Sequence, residues 1–203
     1  RSGKVTNPDG LIVEGKWING EFTSGTITHP DGSVMDGKWI GGKFVSGKII
    51  YSNGVIMEGV WTDENFISGT VINAKGQIME GEWTNGEFTF GTVTEFDGTI
   101  FFGTWFNKEF VSGEIRFPDG NIMYCKIVND LRAKRNLVVG TMITPSGIRY
   151  EGKWKDLKLN VFYGKIISLD GTFFEGVILD NTIQGVLTIF SGEQIRINYN
   201  NSN

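Results

Sequence analysis

The chain has 203 residues, 29 of them glycine and only 4 proline, and its 39% hydrophobic and 13% aromatic content can fill a core, which excludes a disordered polymer. A net charge of −4 gives no overall attraction to nucleic acid, and no apolar run approaches the about 18 residues of a membrane-spanning helix. The single cysteine, Cys125, excludes an internal disulfide framework and fits a reducing cytoplasm. From the start of the chain, Ser2-Gly3-Lys4-Val5-Thr6 reads as a strand, and Leu11 to Trp17 as the next. Within the second strand Val13, Gly15 and Trp17 share one face, and Ile12, Glu14 and Lys16 the other. The segment Ile18-Asn19-Gly20-Glu21-Phe22 reads as the connection to a third strand, Gly25 to His29. Pro30-Asp31-Gly32 then reads as a tight turn: Pro presets φ, Asp bonds nearby backbone, and Gly takes positive φ. The next strand repeats the alternation, with Met35, Gly37 and Trp39 opposed to Val34, Asp36 and Lys38. Period two excludes a helix.

The pattern recurs along the whole chain. Turn glycines at 10, 32, 54, 76, 98 and 120 stand 22 residues apart, and the spacing then loosens to 27, 24 and 21 at Gly147, Gly171 and Gly192. Seven residues before each marker stands a glycine, among them Gly25, Gly47, Gly69, Gly91 and Gly113. All six tryptophans, Trp17, Trp39, Trp61, Trp83, Trp105 and Trp154, stand seven residues after a marker. Phe22, Phe44, Phe66, Phe88 and Phe110 form a further column. These columns predict one continuous repeat array over residues 1–203, of about nine units and about 18 short strands. The predicted fold class is all-β, an elongated single-sheet antiparallel β-hairpin solenoid. The glycines leave bare backbone over which the indoles are expected to lie. A lone hairpin is unstable in water, so neighbouring units must hold one another.

The unit Met35-Asp36-Gly37-Lys38-Trp39-Ile40-Gly41-Gly42, with Ser46-Gly47 and Ser52-Asn53-Gly54 after it, resembles the MORN repeat. So do Met79-Glu80-Gly81-Glu82-Trp83-Thr84-Asn85-Gly86 and Tyr150-Glu151-Gly152-Lys153-Trp154. The family period is normally one residue longer, and the family tyrosine is here mostly Met or Val, so the chain reads as a divergent 22-residue variant. The resemblance implies an elongated antiparallel sheet that serves as a protein–protein scaffold, self-associates or attaches to membrane-associated structures.

Residues that could carry chemistry are few. His29 is the only histidine and stands beside a turn without a partner base in sequence. Cys125 occupies a glycine column, where a small structural residue is expected. One His and one Cys do not make a zinc site, and the Asp-Gly and Asn-Gly turns lack the acidic spacing that calcium needs. The expectation is therefore no catalytic residue, no metal and no cofactor. Met35, Met57, Met79 and Met123 form a stripe that reads as core, with an adaptable binding surface as the rival reading.

One region breaks the pattern. An irregular insert over 128–139 carries Arg132, Lys134 and Arg135, and the stretched unit after it carries Lys155 and Lys158. Residues 1–125 hold 9 basic and 16 acidic side chains, whereas 126–203 hold 10 and 7. These five cations are the candidate partner-binding residues. The expected function is a non-enzymatic interaction scaffold in the cytoplasm, whose partner is another protein or a second copy, through a sheet face or an open edge. Alternatives are a ligand-binding module, for anionic lipid at the basic end or for glycans on the aromatic face, and a regulatory appendage of an enzyme outside this chain. Because residues 2–6 match the second strand of a unit, the array is expected to be truncated at its N-terminus.

Overall fold

The computed structural model describes residues 1–130, 135–155, 161–179 and 182–200. All regular structure among them is strand, in one open antiparallel sheet of 18 strands in which chain neighbours pair. No helix among the described residues is long and apolar enough to cross a membrane. The chain divides into two compact units: Arg1–Gly98 with Thr104–Glu109, and Thr99–Gly103 with Phe110–Asn203.

Unit 1 holds β1 (Ser2–Thr6), β2 (Ile12–Ile18), β3 (Glu21–Thr28), β4 (Val34–Ile40), β5 (Lys43–Ile50), β6 (Ile56–Thr62), β7 (Asn65–Ile72), β8 (Ile78–Thr84) and β9 (Glu87–Thr94). Strand β10 (Ile100–Phe106) follows. Unit 2 continues with β11 (Glu109–Arg116), β12 (Ile122–Asp130), β13 (Arg135–Ile143), β14 (Arg149–Trp154) and β15 (Val161–Ile167). Its last strands are β16 (Phe173–Leu179), β17 (Thr182–Thr188) and β18 (Gln194–Asn200).

Turn chemistry sets these bounds. At Asn7-Pro8-Asp9-Gly10, the Gly10 amide donates to the Asn7 carbonyl at 3.0 Å, and the Leu11 amide donates to Asp9 Oδ1 at 3.0 Å. Gly10 sits at φ +91°, open only to a residue without a Cβ penalty. The same closure recurs at His29–Gly32, Tyr51–Gly54, Phe117–Gly120 and Ser168–Gly171. At Asp31 the Ser33 backbone amide, then its hydroxyl, holds the carboxyl below its ordinary range.

The opposite connections are shorter than expected. The strands run through Ile18 and restart at Glu21, so Asn19-Gly20 alone makes the turn, with φ +51° and +87°. Both central residues with positive φ mark the type I′ hairpin turn that matches strand twist. Asp63-Glu64 and Asn107-Lys108 adopt it without glycine.

The longer strand exposes a β-bulge. Lys16 pairs with Ser24, but Trp17 pairs with Phe22, so Thr23 is an extra residue. Its hydroxyl donates to the Lys16 carbonyl at 3.1 Å. One extra residue reverses the side on which all preceding side chains point. Phe22, three residues before Gly25, is thereby carried to the face of Gly15 and Trp17. The same register shift recurs in β4–β5, β6–β7 and β8–β9.

The inner face therefore carries three rows. The middle row is glycine: Gly3, Gly15, Gly25, Gly37, Gly47 and Gly59 stand opposite one another from strand to strand. At Gly47, φ is +142° and a Cβ would lie 2.1 Å from the Asp36 carbonyl oxygen and 2.6 Å from Gly37 Cα. The covering side chain differs from the expected one. A Cβ on Gly37 would lie 2.7 Å from the Phe44 ring and one on Gly59 2.8 Å from the Phe66 ring, so phenylalanine lies closest over these glycines, whereas over Gly3 it is the Trp17 indole, at 3.9 Å. The indoles stand beside the phenylalanines in the next row. The third row is aliphatic; Ile49, Val71, Val93, Ile115 and Met123 are buried in it.

Candidate interaction surfaces

In unit 1, Trp and Phe alternate along the inner face. Ring centroids lie 4.6–5.0 Å apart through the seven contacts from Trp17 to Phe88, all tilted or edge-on. That is the favourable spacing and orientation for aromatic pairs, each adding about 0.5–1.5 kcal/mol beyond area burial. Trp39, Trp61 and Trp83 are 6%, 7% and 8% exposed, so these indoles are spent on packing; Trp17 and Trp105 are half-buried. The Phe88–Trp105 step widens to 5.7 Å, and a cleft of about 280 Å³ lined by Met79, Trp83, Phe88, Val93 and Trp105 opens there. In unit 2, Trp154 is buried against Phe162 at 5.1 Å. The Trp position of β16 is Ile178, paired with Ile183.

The outer face was passed over in the sequence reading. There Val34 pairs with Ile50, Ile50 with Ile56, Ile56 with Ile72, and Ile72 with Ile78. Ile50 and Ile78 are 41% and 38% exposed. The signal is present in the sequence: each strand from β2 to β9 has a β-branched residue at one end of its polar face. Beside this row runs a charged one, in which Lys4 meets Glu14 at 3.3 Å and Lys48 meets Glu58 at 3.6 Å. Both pairs are exposed, so each adds little to stability.

Unit 2 fills the same two rows differently. Arg116 and Arg149 stand in the apolar row and are ion-paired to Glu114 and Glu151 beside them. Lys165 Nζ lies 3.7 Å from the centroid of the Phe173 ring. Charged groups thus interrupt or cover the apolar row in unit 2, and do not in unit 1 between Val34 and Ile78.

Of the predicted cations, Arg132, Lys134 and Lys158 fall outside the described residues. Arg135 begins β13, its Cα opposite Asp130, and Lys155 is exposed just after β14. The insert over 128–139 contributes strand: β12 and β13 are nine residues each, and their register runs from Ile122–Ile143 to Asp130–Arg135 without a shift. His29 is half-buried, its amide and carbonyl engaged in the turn. Cys125 stands in the glycine row between Gly113 and Gly140, 8% exposed, and burial pushes its thiol up to about 11. A thiol held protonated is a poor nucleophile. Met123 is fully buried, and Met35, Met57 and Met79 are half-buried in the aliphatic row, as core methionines are. Among the described residues no three His, Cys, Asp or Glu side chains converge on a point that could hold a metal ion. Compared with family models and with curated proteins, the chain matches none of them.

Proposed function

We propose that this chain is a non-enzymatic protein–protein interaction scaffold, a divergent MORN-like array, working in the cytoplasm. The observation that carries the reading is the division of labour between the two faces of unit 1. The inner face consumes its aromatic rings in mutual packing, while the outer face leaves a continuous β-branched row beside charged side chains. An exposed apolar surface edged by polar groups is the ordinary mark of an interface. The resemblance of the repeat units to MORN arrays supports the same reading. The test places a photo-cross-linking residue at Ile78 on the outer face or at Met79 on the inner one. Polypeptide adducts in quantity from position 78 and few from position 79 support the scaffold; adducts from neither remove it. A second reading, a glycan- or ring-binding module, is favoured by the cleft at Phe88 and Trp105. Under that reading an aromatic glycoside quenches tryptophan emission, and Trp105→Ala abolishes the quenching.

A further inference from the structure

We infer that the outer face of unit 1 is self-complementary and docks a second copy of this chain, face to face about a two-fold axis. This rests on the scaffold reading and names its partner. The row Thr28, Val34, Ile50, Ile56, Ile72 and Ile78 crosses six successive strands, β3 to β8, centred between β5 and β6. An axis parallel to the strands, over the boundary between β5 and β6, lays each row on its own copy with the strand order reversed. Such an isologous contact demands that the surface complement itself.

It does so in both rows. Ile50 meets Ile56 of the second copy, and Val34 meets Ile72. In the charged row, whose order is Asp36, Lys48, Glu58, Thr70, Glu80 from β4 to β8, Lys48 meets Glu58 twice by symmetry. Asp36 meets Thr70, and Glu80 meets Thr26 of β3. In the row after it Lys38 meets Ser68, and Glu82 meets Ser24. No like charges face each other anywhere in this arrangement. Shifting the second copy by one strand brings Asp36 onto Glu58 and Glu14 onto Glu80, so the charges also select the register. Eight strands at about 4.8 Å, by roughly 20 Å along the strands, give a surface on the order of 750 Å² a side, the size of a standard stable interface. Two twisted sheets stack in this way at about −30°.

Sedimentation equilibrium of the purified chain at about 100 µM, where interfaces of micromolar affinity are filled, is expected to give twice the monomer mass. Ile50→Lys, on a side chain already 41% exposed, is expected to weaken the dimer by at least about tenfold while far-ultraviolet dichroism stays unchanged. Lys48→Glu sets two pairs of carboxylates against each other and is expected to weaken it by a similar factor, about tenfold; Lys48→Glu with Glu58→Lys is expected to restore it. If Ile50→Lys fails to fold, the charge-swap pair decides. A monomeric wild type, or a dimer indifferent to Lys48→Glu, overturns the inference. Neither outcome touches the cross-linking test at position 78, where a foreign partner would still show.

Discussion

The two units build the same inner face by different local means. In unit 1 the second strand of each hairpin carries a bulge, and its phenylalanine stands three residues before its glycine: Phe22 and Gly25, Phe44 and Gly47, Phe66 and Gly69. In the hairpins β12–β13, β14–β15 and β16–β17 there is no register shift, and the spacing is two: Val138 and Gly140, Phe162 and Gly164, Ile183 and Gly185. An odd offset with one bulge and an even offset without one leave the side chain on the same face. The lesson is that parity, not spacing, is what the packing requires. In the bulged strands β3, β5, β7 and β9 the glycine sits at φ of +136° to +142°, where only glycine is comfortable.

The comparison is tested most severely at the ladder. Phe66 touches Trp61 at 4.8 Å and Trp83 at 4.6 Å, whereas Ile183 in unit 2 takes the equivalent place beside Ile178. Phe66→Ala is expected to cost about 3–5 kcal/mol and Ile183→Ala about 2 kcal/mol, because Ile183 is only half-buried. Denaturant titration of the two variants checks the order. Next, Gly47→Ala puts a Cβ against the Asp36 carbonyl and forces a non-glycine residue to φ +142°. A loss of about 3 kcal/mol is expected, and an unchanged midpoint would show that the backbones are free to part. Deleting the bulge residue Ile67 should convert β6–β7 to the unbulged pattern of β16–β17 with Phe66 still beside Trp61. The expected cost is below about 2 kcal/mol, and a loss as large as that of Phe66→Ala would break the parity argument.

Two smaller effects sharpen it. The Cys125 thiol is raised from an ordinary 9.0 to about 11 by burial. The unfolded chain therefore loses this proton first as pH rises, and binds fewer protons than the native state between those values. Stability contributed at neutral pH should decline between pH 9.0 and about 11 and level off above. Cys125→Ala should flatten that part of the profile, as measured by denaturation midpoints across the range. Last, Glu64 and Lys108 hold φ +69° and +66° where other unit 1 turns have glycine. Glu64→Gly and Lys108→Gly should each stabilise by about 0.5–1 kcal/mol, seen as a rise in Tm.

Much of the candidate surface is within reach of the sequence. The six tryptophans in one column are the buried or half-buried row, because an indole recurring at a fixed repeat position has to pack on its neighbour units. The exposed β-branched row is equally periodic, at Val34, Ile56 and Ile78, but β-branched residues favour strands on either face, so the period alone does not mark it as a surface. The basic cluster lies where the 22-residue period breaks. Of it, only Lys155 is placed as an exposed side chain.

By itself the sequence determined the strand alternation, the turns at Pro-Asp-Gly and Asn-Gly, and the number of strands. Those follow from local chemistry: period-two side-chain geometry and the φ that Gly, Pro and Asp prefer. Tertiary structure decided which ring covers which glycine. By simple count along β3, Phe22 falls with Ser24 and Thr26 on the face of Glu14 and Lys16, and only pairing with β2 across the bulge brings it to the face of Trp17. Cross-strand pairing likewise decided that residues 16 and 6 apart in the chain, such as Val34, Ile50 and Ile56, become neighbours in one apolar row. A register is a property of two strands together, held by hydrogen bonds and by close approach at the glycines, and neither strand contains it alone.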